Sequence, residues 1–338
     1  MALRFSVALP RLVEPDVVQP YRQMFALARQ IGKLGFDTAY LGHYSFTPET
    51  GDASAPFVLL GAIAAQTERL RLGTAIYLAG LHHPVSVIEQ VNQLDQISGG
   101  RAVVGLGKGY RPYEYEGYGV DYCLRGALLT EMIEVIRRSW TTGRVTHSGE
   151  LFDIPDLPVE PPCVQSPHPP ILVGGTSRAA LDRAASVGDG WISLPFETLG
   201  HTRRLVERYR KACEQSGREP YVCLMREAWI APSTAEVERN WMGRALKFHR
   251  RYWAAGMRGD RDDPVLQRVA SGKDVGYQKF AHDRAIAGTP DECIEAVRRW
   301  HEAIDFDERC LILVGPRDPG TLRRTVDLFA DEVMPAFV

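Results

Sequence analysis

A chain of 338 residues and 37.7 kDa exceeds the commonest single-core size, yet it is an ordinary length for one α/β barrel. Hydrophobic residues make up 45% and charged residues 24%, and a formal charge of -2 with a pI near 6.5 leaves no basic field to hold nucleic acid. Cys123, Cys163, Cys213, Cys223, Cys293 and Cys310 form no Cys-x-x-Cys pair and no apolar run approaches the roughly 18 residues of a membrane span, so a cytoplasmic protein without metal is expected.

Short apolar runs alternate with stretches of helical period, the pattern of βαβ units and a parallel sheet. In chain order the predicted strands are 4–10 (RFSVALP), 36–42 (FDTAYLG), 70–78 (LRLGTAIYL), 101–109 (RAVVGLGKG), 171–175 (ILVGG), 190–195 (GWISLP), 221–231 (YVCLMREAWIA) and 309–315 (RCLILVG). Between them Pro84 and Pro290 sit where first-turn prolines belong, Ser233 is placed to cap a helix, and Gly32, Gly35, Gly217 and Gly256 punctuate helix ends or turns. Eight strands with helices between them favour one closed (β/α)8 TIM barrel over 1–338 rather than an open doubly wound sheet. Two segments break the rhythm. The prolines of 147–170 cannot continue a helix or a central strand, so an ordered excursion is expected before the fifth strand. The charged, glycine-bearing segment 257–287, between the seventh and eighth strands, has the length of a mobile lid or of a surface insert.

In a parallel barrel the active site gathers at the carboxyl ends of the strands. That rule selects His43, Tyr44 and Ser45 after the second strand, Ala75 and Ile76 on the third, and Gly107, Lys108, Gly109 and Tyr110 after the fourth. It adds Gly174, Gly175, Thr176 and Ser177 after the fifth, with Trp191 and Ser193 on the sixth. The 174–177 turn opens a helix, so bare backbone N–H groups and the helix dipole together suit an anion. Strands four and five are neighbours, which lets Lys108 and this turn face one phosphate, with the glycines of VVGLGKGY clearing room for the ligand. Singly, a strand-end lysine points into solvent and Gly-Gly-Thr is a common turn; it is their register that favours a site. Tyr110 stands where G-x-G-x-x-G needs its third glycine, which disfavours a Rossmann site, and there is no P-loop, G-x-S-x-G elbow or H-E-x-x-H. His82 and His83 read as capping or packing of a helix in preference to metal ligands.

The block TERLRLGTAIYLAGLHHPVSVIEQVNQLDQISGGRAVVGLGKGY, 67–110, resembles the core signature of the bacterial luciferase-like flavin monooxygenases. GTPDECIEAVRRWHEAIDF and the ending LFADEVMP resemble the C-terminal part of the luciferase α chain, whereas 200–287 carries the resemblance weakly. The resemblance implies a barrel that takes reduced FMN from a separate reductase and, with O2 and through a flavin hydroperoxide, oxygenates a small organic substrate. Carried over residue by residue, Lys108 falls on a phosphate-binding arginine, Gly107 on a reactive cysteine, and 174–177 on the turn that holds flavin phosphate. Ala75 and Ile76 fall on a non-prolyl cis peptide against the isoalloxazine ring, and Arg125 is the nearest counterpart of a second phosphate-gripping arginine, with its spacing off by one.

The family's EHHF reads HYSF here, so His43 replaces the glutamate, Tyr44 the histidine that acts as base, and Ser45 the second histidine. A phenol with a pKa near 10 is a poor general base at neutral pH and a sound hydrogen-bond donor, so light emission is not implied. The catalytic role falls to Tyr44, or to His43 if its ring turns inward instead of packing in the barrel wall. Lys273, Lys279 and His282 of the insertion are expected to close over the flavin. Two further readings remain open. One is a deazaflavin-dependent hydride-transfer enzyme, with Arg178 and Arg111 on the longer acidic tail; the other is a non-catalytic subunit like the luciferase β chain, against which the retained GKGY and GGTS argue. The stretches APFVLLGAIAAQT and PVSVIEQVNQLDQIS are apolar on more than one face, which suits either a homodimer interface or core packing.

Overall fold

Apolar residues at alternate positions give each strand two buried faces, one for the barrel interior and one for the surrounding helices. The structure, a computed structural model, describes residues 3–10, 20–47, 54–257, 260 and 262–337. Its strands are β1 (Arg4–Ala8), β2 (Thr38–Leu41), β3 (Arg71–Thr74), β4 (Tyr77–Leu78), β5 (Ala102–Gly107), β6 (Arg144–Ser148), β7 (Asp153–Pro158), β8 (Ile171–Gly174), β9 (Gly190–Ile192), β10 (Val222–Ile230), β11 (Ile286–Gly288) and β12 (Glu308–Leu313). Around the wall the order is β1, β2, β3, β5, β8, β9, β10, β12, all parallel, and β12 returns to β1 with Cys310 opposite Ser6. The eight predicted strands are therefore the eight staves of a closed parallel barrel. Tyr40, Val103, Leu172, Ile192 and Met225 point inward, and their strand neighbours Ala39, Val104, Val173 and Trp191 pack outward.

Helices α1 (Pro20–Lys33), α2 (Pro56–Ala64), α3 (Pro84–Ser98), α4 (Pro112–Gly117), α5 (Arg125–Thr142), α6 (Arg178–Ser186) and α7 (Leu199–Ser216) surround the first six staves. The chain continues through α8 (Thr234–Val237), α9 (Gly243–Ala254), α10 (Pro264–Ala270), α11 (Tyr277–Ala281), α12 (Pro290–Ile304) and α13 (Pro319–Glu332). The start signals work as their chemistry dictates: the His83 ring accepts from the Val85 N–H at 3.3 Å above α3, and the Ser233 hydroxyl accepts from the Glu236 N–H at 3.4 Å above α8. Among the described residues no helix is long and apolar enough to cross a membrane.

Three local features differ from the sequence reading. The third predicted strand is broken into β3 and β4 at Ala75 and Ile76. The proline-rich stretch contributes a real strand, β7, which pairs antiparallel with β6 outside the barrel; a two-stranded ribbon tolerates Pro155 and Pro158 at positions where a central stave would lose ladder bonds. β11, three residues long and packed beside the upper part of β10, was too short to show a period. Residues 258, 259 and 261 of the predicted lid segment lie outside the described residues, and the rest of it carries α10 and α11, with Leu266, Val269 and Phe280 buried.

A buried carboxylate ties the excursion before β8 to the barrel. Asp95, at the end of α3, accepts from the backbone N–H groups of Val164 (2.8 Å) and Gln165 (3.0 Å) and from the Gln165 side chain (2.7 Å). Asn92, one turn earlier, donates to the Pro161 carbonyl at 2.7 Å. Replacing Asp95 with Ala removes the acceptor of the Val164 and Gln165 N–H groups, so a loss of about 1–2 kcal/mol is expected in urea unfolding, together with new protease cleavage between 159 and 170.

Candidate active site

The amino end of the barrel is closed by polar side chains. Glu308, at the start of β12, accepts from Tyr221 at 2.5 Å, from Tyr40 at 3.3 Å and from the Ser6 hydroxyl, and burial pushes its carboxyl up from the usual range. The open chemistry lies at the other end.

There, Ala75 and Ile76 are joined by a cis peptide and pack on the interior cluster. Ile76 lies across two neighbouring staves: a Cβ on Gly107 would collide with its side chain, and one on Gly174 would stand 3.0 Å from it. A Cβ on Gly105 would strike the Thr74 carbonyl. This corrects the reading of the glycines, and of Gly107 in particular: the room they leave is filled by the third stave's own atoms, not kept for a ligand. Gly109 has a positive φ of 66, which turns the chain from Lys108 toward Tyr110.

Three cations gather where the phosphate was expected. Lys108 is half-buried, and its ammonium pKa is lowered by burial and then by the nearby guanidinium groups of Arg125 and Arg183. Arg125 stacks on Tyr122, with its guanidinium carbon 3.7 Å from the ring centroid, and donates to the Tyr122 carbonyl at 2.7 Å; its buried Nε has no partner. Arg183, on the second turn of α6, donates to Thr130 (2.7 Å) and to the Gly126 carbonyl (3.0 Å). Among the described residues no carboxylate pairs with any of the three. The turn Gly174, Gly175, Thr176 and Ser177 leads into α6, where the Ser177 hydroxyl accepts from the Ala180 N–H at 3.3 Å and Gly175 takes a φ of 137. The first N–H groups of α6, which have no partners inside the helix, open at this turn and suit an anion.

Two predicted residues have other duties. Trp191 is fully buried on the outer face of β9 and packs against Tyr209 of α7, because strand alternation sends Ile192 inward in its place. It does not line the barrel interior; its Nε1 donates to the Gly175 carbonyl at 2.7 Å and so fixes the 174–177 turn. His43 is a packed histidine as well. It is 2% exposed, stacks on Tyr77 (4.6 Å) and His82 (5.3 Å), and its Nδ1 accepts from the Leu78 N–H at 3.3 Å, which leaves the ring no role in moving a substrate proton.

Burial, and then the neighbouring His82, drive the His43 pKa down to about 3, and burial brings His82 to about 4. An unfolded histidine takes a proton near pH 6.5, and these two refuse it until about 4 and 3, so the unfolded chain binds more protons across that window. Stability contributed by the stack is present above pH 6.5 and is expected to fall as the pH drops toward 4. Melting temperatures between pH 8 and pH 4 check this, and His82→Gln should flatten the acid limb.

Tyr44 does reach the mouth. Its hydroxyl lies 3.0 Å from that of Tyr252 on α9, and the Arg111 guanidinium sits between the rings of Tyr44 (4.8 Å) and Tyr110 (5.0 Å), held by Glu114 at 3.4 Å. Phe196, beyond β9, packs on Tyr252 at 5.2 Å, and Tyr110 approaches the same ring at 6.2 Å. Glu227 of β10 meets His249 of α9 side chain to side chain, both buried, which anchors α9 to the barrel. Lys273, Lys279 and His282 are exposed, and the residue standing against Tyr44 and Phe196 at the mouth is Tyr252 of α9. Arg183 and Tyr252 escaped the sequence reading. An arginine on a polar helix face and a tyrosine far from any strand end carry no local mark; only the carboxylate-free surroundings of the one and the ring contacts of the other set them apart.

An eight-stave parallel barrel ringed by helices is the architecture of a TIM-barrel enzyme, whose active site lies at the carboxyl ends of the staves. The chain belongs to the luciferase-like monooxygenase family, whose model matches residues 3–305. The oxygenase component of a flavin-dependent trigonelline monooxygenase from Acinetobacter baylyi is 26% identical over 333 residues, 94% of this chain and 90% of that protein. A 4-hydroxyprotoasukamycin monooxygenase from Streptomyces nodosus subsp. asukaensis is 26% identical over 92% of this chain and 85% of its own length. Among solved structures, the monooxygenase RslO1 from Streptomyces bottropensis superposes with a TM-score of 0.84 at 25% identity, covering 99% of this chain and 100% of that one. The protein is an enzyme of the oxidoreductase class.

Proposed function

We infer that the chain is the oxygenase component of a two-component flavin monooxygenase, using reduced FMN and O2 to oxygenate a small organic substrate. The observation that carries this is the set of three cations, Lys108, Arg125 and Arg183, left without a carboxylate beside the N-terminus of α6. So much uncompensated charge, with a buried guanidinium Nε lacking a partner, fits the dianionic phosphate of FMN. Reduced FMN, when bound, supplies the electrons that activate O2. The protein's part is to hold the phosphate through these cations, to support the ring with Ala75 and Ile76, to offer the Tyr44 hydroxyl as a donor at the mouth, and to exclude water with α9. No nicotinamide site is needed in this scheme, because a separate reductase would deliver the flavin already reduced, in keeping with the Acinetobacter relative's being named an oxygenase component.

The deazaflavin reading called on Arg178 and Arg111 as extra cations. Arg178 is exposed and pairs with Asp182 at 3.6 Å, and Arg111 is committed to Glu114, so neither favours the longer tail. A homodimer through α2 is supported by Val58, 69% exposed on a helix that is apolar nearly all round. Anaerobic titration with reduced FMN tests the reading, followed by admission of oxygen in a stopped-flow. Saturable binding and an altered course of flavin reoxidation are expected; absence of binding overturns it.

A further inference from the structure

The mouth of the barrel has a chemistry that the phosphate cradle does not explain. Tyr44 follows β2, Tyr110 follows β5 and Phe196 follows β9, which are alternate staves around the wall. All three meet one ring, that of Tyr252: a hydroxyl contact of 3.0 Å from Tyr44, and centroid distances of 6.2 Å from Tyr110 and 5.2 Å from Phe196. A side chain touched from three alternate staves stands over the barrel axis, so α9 places an aromatic ring above the centre of the mouth. The guanidinium of Arg111, stacked between Tyr44 and Tyr110 and neutralised by Glu114, closes one side with a flat surface. Within this cage the Tyr110 hydroxyl is buried and has no hydrogen-bond partner. A phenol in that condition costs stability unless a ligand atom completes it. Burial holds this phenol above its ordinary pKa, so at neutral pH it is a donor seeking an acceptor.

We propose that the cage selects a flat arene bearing an oxygen substituent, stacked beneath Tyr252 and hydrogen-bonded through that oxygen to the Tyr110 hydroxyl. Offset and edge-on aromatic packing favours a planar ring over an aliphatic chain of equal area, and the orphan donor favours an oxygenated ring over a bare hydrocarbon. The inference rests on the monooxygenase reading for its chemistry, though not for its binding test.

The test uses the whole protein loaded with FMN and three probes: a naphthol, naphthalene and decanal, titrated by calorimetry. The naphthol is expected to bind most tightly and decanal at least tenfold more weakly. Tyr110→Phe should weaken the naphthol about five- to tenfold, the range of one hydrogen bond, and change naphthalene less than twofold. Tyr252→Ala should weaken both arenes and leave decanal as it was. Equal affinity for decanal and the naphthol overturns the proposal, as does a Tyr110→Phe variant that loses FMN affinity with naphthol binding intact, since the hydroxyl then serves the cofactor. Failure to bind FMN at all would instead strike the monooxygenase reading, and the arene titration of the free protein would still decide this one.

Discussion

Lys108→Ala is expected to weaken binding of reduced FMN by about 10- to 100-fold, the worth of a charge-assisted phosphate contact of roughly 1.5–3 kcal/mol. The sign of the accompanying stability change is the sharper check. Lys108 is repelled by Arg125 and Arg183, so removing it relieves strain among like charges in the free protein. The variant should therefore melt no lower than the wild type while losing its ligand, and Lys108→Arg should restore most of the affinity. A lysine that merely stood in solvent would show no loss of affinity. Loss of folding in place of loss of binding would mean that Lys108 supports the loop after β5, not a phosphate.

Gly105→Ala should be among the most damaging single-methyl changes in the chain, at roughly 3 kcal/mol or more by urea unfolding. Its Cβ would meet the Thr74 carbonyl, and Thr74 cannot yield, because its own hydroxyl donates to the Gly105 carbonyl at 2.8 Å and locks the two staves together. Gly107→Ala meets only the end of the Ile76 side chain, which can rotate away at a cost of about 1–2 kcal/mol. That milder variant should fold and yet bind flavin poorly, since Ile76 would be pushed into the mouth. Equal stability of the two variants would show that the staves slide apart more readily than their hydrogen bond suggests.

The barrel was readable because each stave is an apolar run and most of the described helices open with a proline or a capping side chain. What the pattern hid were features set by contacts distant in sequence. The glycines of VVGLGKGY looked like ligand space, since nothing local reveals that Thr74 and Ile76 fill it. Trp191 and His43 carry the right chemistry in the right place, but strand alternation sends one outward, and two aromatic neighbours hold the other in the wall. Arg183 and Tyr252 belong to helices whose sequence gives only periodicity, and the site claims them through three-dimensional convergence.

The polar side chains around Glu308 close the amino end of the barrel, so the ligands of the proposed function would enter and leave at the carboxyl end, past Tyr252. Whatever lies deepest must arrive first and depart last. For the reduced flavin and organic substrate of the proposed function, that shared approach predicts a compulsory order of addition, with excess organic molecule delaying the next flavin and slowing turnover at high concentration.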